Sequence, residues 1–224
     1  MPIVGFIVTA VVGYFLGSIP TGFLLASARG LDIRRVGSGN IGATNVFRSL
    51  GVPAGVFVLL MDALKGWLAV MLAAKVFANV FQVHDTLARD WLAITGGFTA
   101  ILGHNFTCWL QFKGGKGIAT SAGVLVALVP LALMIILGIW IIVFAISRYV
   151  SLASICAAAA LPFAAWLTKQ SPTIIFVTGL MGGLAIYKHK GNIRRLLDGT
   201  ENRIGARSGP TDAKADSAGP EDRG

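Results

Sequence analysis

The chain is punctuated by long stretches that carry no charge. Residues 1–28 contain no Asp, Glu, Lys or Arg, and neither do residues 117–147. A helix needs ~20 apolar residues to cross a bilayer, so runs of this length restrict the chain to a few solutions. Every backbone polar group must be satisfied within the segment itself, and here that means helices. The composition agrees: 55% of the 224 residues are hydrophobic and 13% charged, too few charges to solvate a water-soluble globule of this size.

Reading the runs in order predicts an all-α, polytopic membrane protein. The first span ends at a kink-prone patch, Gly17 to Gly22, whose Ser18 and Thr21 are read as packing residues. No Lys or Arg precedes Arg29, so this segment is read as a retained span rather than a cleaved signal. A second span runs from Val52 to Phe77, and a third from Trp91 to His104 after a polar connection over Asn79 to Asp90. Pro130 divides the long neutral run into two shorter spans, and Ser151 to Thr168 and Pro172 to Tyr187 complete seven transmembrane helices. One long helix in place of the Pro130 pair, with a changed end region, leaves five crossings as the alternative. Residues 1–205 form the membrane domain, and 206–224, rich in Gly, Pro, Asp, Ser and Ala, are expected to be a disordered polar tail.

The second span carries Asp62 and Lys65, three apart on one helical face. Each charge alone would cost roughly 2.5 to 3.5 kcal/mol at the bilayer centre, so the two should pair or line a wet cavity; a structural pair is expected, with support of the active site as the alternative. The net charge is +9, and the basic residues cluster between spans. Arg29, Arg34, Arg35, Arg48, Lys113, Lys116, Arg148 and the group from Lys188 to Arg207 fall on one side, against Arg89, Lys169 and Lys75 on the other. That asymmetry puts the amino terminus outside, and the carboxyl terminus and every polar motif in the cytoplasm. It favours lipid headgroups and anionic substrates over nucleic acid. Cys108 and Cys156 have no metal-ligand spacing and are read as reduced thiols.

Three polar segments then stand out. Gly37-Ser38-Gly39-Asn40 runs on to Asn45 and Arg48. Phe112-Lys113-Gly114-Gly115-Lys116-Gly117 leads through Thr120 into an apolar span. His189 to Arg195, followed by Gly199 to Arg203, leaves the last span. Glycine-freed backbone N–H groups beside fixed cations and hydroxyls are a phosphate-holding arrangement, and the predicted topology puts all three at one face.

Several catalytic devices are missing. No Gly-x-Ser-x-Gly elbow surrounds any serine. Leu110 and Gly117 occupy positions that a Walker A loop ending at Gly115-Lys116 would give to Gly and Ser/Thr. No Asp follows His84, His104 or His189 at the spacing of the His/Asp acyltransferases, where Arg89, Trp109 and Arg194 stand instead. No cluster has metal spacing, so neither a metal nor another cofactor is expected. What remains suits transfer of an already activated group with an anionic leaving group, the protein supplying position and charge. Nothing resembles an internal repeat, which counts against a transporter, although a membrane carrier for organic phosphates is the alternative.

Taken together, Gly17 to Gly22, Asp32 to Arg34, Gly37 to Arg48, Gly103-His104-Asn105, Phe112 to Thr120, His189 to Asn192 and Gly199 to Glu201 resemble the bacterial acyl-phosphate:glycerol-3-phosphate acyltransferases, the PlsY family. The resemblance covers the chain to about Gly205. It implies a seven-helix enzyme of the bacterial inner membrane, active as a monomer. Such an enzyme moves a fatty acyl group from acyl phosphate to the 1-hydroxyl of glycerol 3-phosphate, giving lysophosphatidic acid and inorganic phosphate.

Residue by residue, the resemblance implies that Ser38, Arg48, Lys116, His189 and Asn192 carry the chemistry. Gly37, Gly39, Asn40 and Asn45 shape the first loop, and Gly114, Gly115 and Gly117 allow close backbone approach in the second. Lys113, Thr120 and Ser151 are further substrate-binding candidates, Lys113 having an interfacial lipid contact as its alternative and Ser151 a helix N-cap. His189 either removes the hydroxyl proton or holds substrate while a substrate phosphate acts as base. Glu201 anchors the terminal segment, His104 is a structural histidine, and His84 has no catalytic part.

Overall fold

The computed structural model describes residues 2–205, so the tail expected over 206–224 lies outside the described residues. All regular structure among them is helical. The first apolar run is two pieces, α1 (Pro2–Ser18) and α2 (Thr21–Ser27), broken at Ile19-Pro20 as the sequence suggests. A short α3 (Ala43–Leu50) precedes α4 (Val52–Met71), which continues through a π-helical stretch, Leu72–Phe77, into α5 (Ala78–Val80). The second apolar rod is thus longer than expected.

Helix α6 (Thr86–Asn105) also departs from expectation, starting five residues before Trp91. The Asp85 carboxylate accepts a 2.7 Å hydrogen bond from the Ala88 N–H and caps the helix, so half of the expected polar connection is its first turn. A helix break falls at Pro130 as expected: α7 (Ile118–Leu128) is capped by Val129, and Pro130 is the first residue of α8 (Pro130–Ser147). Helices α9 (Val150–Leu167), α10 (Pro172–Lys188) and the short α11 (Lys190–Leu197) follow.

Four of these rods are long and apolar enough to cross a membrane: Ile3–Ser27, Val52–Val80, Pro130–Ser147 and Val150–Leu167. Large apolar side chains such as Ile142, Ile146, Leu131 and Phe176 stand outward, as lipid contact requires. Packing among the rods relies on small residues. A Cβ on Gly123 would collide with the Ala63 carbonyl and one on Gly66 with the Thr120 carbonyl, so α4 and α7 touch backbone to backbone.

The rods form two groups, α1, α4, α6 and α7 in one and α8, α9 and α10 in the other. The hairpin at Arg148, in the left-handed region at φ 61°, joins α8 to α9 and is strapped by the returning chain. The Ile204 N–H donates to the Arg148 carbonyl at 3.0 Å, and Arg203 Nε to the Ser147 carbonyl at 3.2 Å. The cavity described next lies between the two groups.

Candidate functional site

The first polar loop is wound around one buried side chain. Asn45 Nδ2 donates to the carbonyls of Ile33 (3.1 Å), Val36 (3.0 Å) and Asn40 (2.9 Å), and its Oδ1 accepts from the Ser38 N–H at 2.8 Å. Asn40 Oδ1 accepts from the Gly42 N–H at 2.8 Å, turning the chain into α3. Gly37 and Gly39 have φ of 57° and 68°, and a Cβ on Gly37 would collide with Asn45 Oδ1. These two glycines therefore serve the winding and do not line the cavity, whereas Ser38, Asn40, Asn45 and Arg48 do. Arg48, one turn after Asn45, donates from Nη2 to the Asn202 carbonyl at 3.3 Å, linking α3 to the terminal segment.

The second loop is packed onto the end of α6. The Gly114 N–H donates to the Asn105 carbonyl (3.2 Å) and the Gly115 N–H to the His104 carbonyl (3.0 Å). A Cβ on Gly115 would collide with His104 Nε2, and one on Gly114 with the His104 carbonyl. The N–H donors of Gly114 and Gly115 are thus engaged within the fold. The backbone donors left are those at the start of α7, where Gly117 is the N-cap at φ 79° and the first turn has no intrahelical acceptor. Lys113 is exposed and outside the cavity lining, and Thr120 faces α4, buried, while Ile118, Ala119, Ser121 and Ala122 face the cavity.

Lys116 makes no hydrogen bond or ion pair among the described residues and lines the cavity. Burial first, then the nearby Arg195 and Arg48 cations, push its ammonium down to about 8 against the pull of Glu201. Such a lysine gains from an arriving dianion.

The third segment is organised by Glu201. Its Oε1 accepts from Asn192 Nδ2 (2.8 Å) and from Ser151 Oγ (2.9 Å), and its Oε2 from Arg195 Nε (2.8 Å). Burial would raise this carboxyl, but the three donors win and hold it below its usual value. Ser151 is therefore no N-cap. It sits within α9 with its proton given to Glu201, which leaves its oxygen as an acceptor. Asn192 likewise keeps Oδ1 available. His189 Nδ1 donates to the Ala185 carbonyl at 2.7 Å, which puts the lone pair on Nε2. Burial, and after it the charge of Lys116, lower this histidine to about 4, so the ring is neutral at physiological pH.

Behind the loops lies a buried polar cluster. Lys65 Nζ contacts Asp62 Oδ1 at 2.8 Å, the Ile19 carbonyl at 2.9 Å and His104 Nδ1 at 2.9 Å, and Thr21 Oγ1 donates to Asp62 at 3.2 Å. The expected Asp62–Lys65 pair is present, and His104 and Thr21 belong to it. Asp62 and His104 also line the cavity; a cavity-lining charge is the alternative expected for Asp62, whereas His104 reads only as a structural histidine.

These groups surround one cavity of about 510 Å³, within the range of small-molecule sites. Its polar end gathers Ser38, Arg48, Lys116, Ser151, His189 and Asn192. Its other end is apolar, bounded by Leu125, Ile136, Trp140, Leu161 and Met181. Thr44 and Ser121 also line it and lie within or next to the motifs, where side-chain type alone could have flagged them. Nothing in the sequence signals Trp140, whose Nε1 donates to Ser154 Oγ at 3.1 Å. The arrangement can hold phosphate oxygens between Arg48, Lys116 and the start of α7 while an acyl chain lies among the helices.

A family model described as "Glycerol-3-phosphate acyltransferase" matches residues 7–199. The glycerol-3-phosphate acyltransferase of Geotalea daltonii is 47% identical over 196 residues, 88% of this chain and 96% of that protein. That of Geobacter sulfurreducens is 46% identical over 200 residues, covering 89% and 98%. Among solved structures, the glycerol 3-phosphate form of PlsY (YgiH), an integral membrane glycerol 3-phosphate acyltransferase, superposes with a TM-score of 0.80 at 38% identity, covering 89% of this chain and 96% of that one. Its lysophosphatidic acid form gives 0.78 at 36%, covering 89% and 95%.

Proposed function

This chain belongs to the glycerol-3-phosphate acyltransferase family, and from that membership we propose that it transfers a fatty acyl group from acyl phosphate to the 1-hydroxyl of glycerol 3-phosphate. The hydroxyl oxygen attacks the acyl carbonyl carbon, the carbon–oxygen bond to phosphate breaks, and lysophosphatidic acid and inorganic phosphate result. An acyl phosphate is already activated, so no enzyme-bound acyl intermediate is needed.

Arg48, Lys116 and the α7 N-terminus hold the phosphates of both substrates, glycerol 3-phosphate included, and take up the charge developing on the leaving group. Ser38 adds a hydroxyl donor at the mouth. His189 Nε2 accepts the hydrogen bond of the attacking hydroxyl. With the ring near 4, it is a weak base, which leaves the proton to the departing phosphate. Asn192 and Ser151, fixed by Glu201, supply acceptors for the glycerol hydroxyls.

The observation that carries this reading is the single cavity, cationic at one end and apolar at the other. A substrate pair of phosphates and one alkyl chain matches that division. The polar groups also gather at one end of the helices, which supports surface chemistry over a carrier with access from both sides.

In the membrane we read seven crossings, with the amino terminus outside and the cavity mouth on the cytoplasmic side of the bacterial inner membrane. The charge asymmetry between loops supports that orientation. Residues 1–205 constitute the catalytic unit, acting as a monomer.

Purified protein in detergent, given acyl phosphate, should release phosphate only when glycerol 3-phosphate is added. Transfer from acyl-CoA or acyl carrier protein in its place would overturn the donor, and activity that requires sealed vesicles would overturn the enzyme. A cysteine placed at Lys113 should react with a membrane-impermeant reagent only from the cytoplasmic face.

A further inference from the structure

The apolar arm of the cavity has walls of unequal size. Along α9 its lining runs Ser151, Ser154, Ala157, Ala158 and then Leu161, and along α10 it runs from His189 through Ala185 and Gly182 to Met181. Both helices thus offer nothing larger than a methyl below the polar mouth, until each presents a long side chain deeper in. Leu161 and Met181 are each 3% exposed and pack into the apolar core with Leu125. They form a floor, not a flexible flap. The opposite wall is fixed as well: the Trp140 indole is held by Ser154, whose own hydroxyl donates to the Val150 carbonyl at 2.8 Å.

The depth follows from helix geometry. Ser151 and Leu161 lie ten positions apart on α9, about 15 Å at ~1.5 Å rise per residue. An extended chain advances roughly 1.2 Å per bond, the same geometry that gives a peptide ~3.6 Å over three bonds. The arm therefore holds about a dozen carbons.

We propose that Leu161 and Met181 set the acyl-chain length this enzyme holds, ending the arm where the small residues of α9 and α10 stop. The inference rests on the acyl-transfer reading above and goes beyond it. A chain longer than the arm must turn its end aside past Leu59 and Leu60, which are 47% and 62% exposed on the flank of the cavity. There it meets lipid and gains nothing over the solvent it left. Specificity should rise with chain length up to the floor and level off beyond it.

The test measures kcat/KM over a graded series of saturated acyl phosphates, from medium to long chain, for the wild type, Leu161→Val, Leu161→Ala, Met181→Ala and Ala157→Leu. Lowering the floor should move the break to longer chains and raise the long-to-medium ratio roughly three- to tenfold, and Ala157→Leu should move it down by a similar factor. The KM for glycerol 3-phosphate should stay unchanged in all of them. Leu161→Val removes one methylene and keeps the direction readable if the alanine variants fold poorly. A break that stays in place in Leu161→Val and Ala157→Leu would overturn the assignment. A wild-type protein that transfers no acyl chain of any length would instead overturn the functional reading itself.

Discussion

Asn192 Nδ2 lies 2.8 Å from Glu201 Oε1, an oxygen that Ser151 also reaches from α9 at 2.9 Å. One carboxylate thereby fixes two cavity-lining side chains from different helices and ties the segment after α11 to both. Hydrogen bonds to a charged group contribute about 1.5 to 3 kcal/mol each. Glu201→Gln, which turns acceptor capacity into a donor, should lower the thermal midpoint and reduce kcat at least tenfold. The carboxyl lies below its usual value in the folded state, so its contribution is present above the unfolded pKa and is lost as pH falls through the folded one. Acid unfolding followed for wild type and Glu201→Gln should show a shallower pH dependence in the variant.

Lys116 gives a pH prediction for activity. In the free enzyme its ammonium sits at about 8, and only the charged form attracts phosphate. The pH profile of kcat/KM, which reports free-enzyme groups, should fall as pH rises through about 8. Lys116→Arg should remove that falling limb, since guanidinium keeps its charge.

Ser38→Ala, Arg48→Ala, Lys116→Ala and His189→Ala should each lower kcat/KM by roughly 10²- to 10³-fold while the protein still inserts and purifies. Wild-type kinetics in two of them would dissolve the site as drawn.

Gly115→Ala is expected to act through His104. The added methyl meets the imidazole ring, which contacts Lys65, so the second loop must lift from α6. The variant should lose thermal stability together with glycerol 3-phosphate affinity. A raised KM with unchanged stability would restore the backbone-cradle role to Gly115.

The buried pair predicts a non-additive cycle. Removing one partner, as in Asp62→Asn or Lys65→Met, should cost about 3 to 5 kcal/mol, and removing both should cost less than the sum. Thermal unfolding of the two single variants and the double measures this.

Much of this was legible in the sequence because polar and glycine residues in an apolar chain have few uses. The Pro130 break, the Asp62–Lys65 pair and the convergence of Ser38, Arg48, Lys116, His189 and Asn192 on one cavity followed from residue type, spacing and resemblance. What a sequence does not carry is which side a small residue serves. Gly114 and Gly115 read as ligand contacts, yet their N–H groups bond the end of α6, and Thr120 sits a fraction of a turn from the cavity face. Hydropathy hid the start of α6, since Asp85 and Thr86 look like loop until the cap is seen. The apolar arm needed coordinates, because Trp140, Leu161 and Met181 are ordinary membrane residues until three helices bring them together.

The central claim, that three distant segments build one phosphate-binding mouth, is tested most directly by titrating glycerol 3-phosphate into the purified protein and measuring heat. The account predicts one site per chain, lost in Arg48→Ala and in Lys116→Ala alike, although these residues lie on different loops. Undiminished binding in both variants, or two sites that each variant abolishes separately, would contradict it.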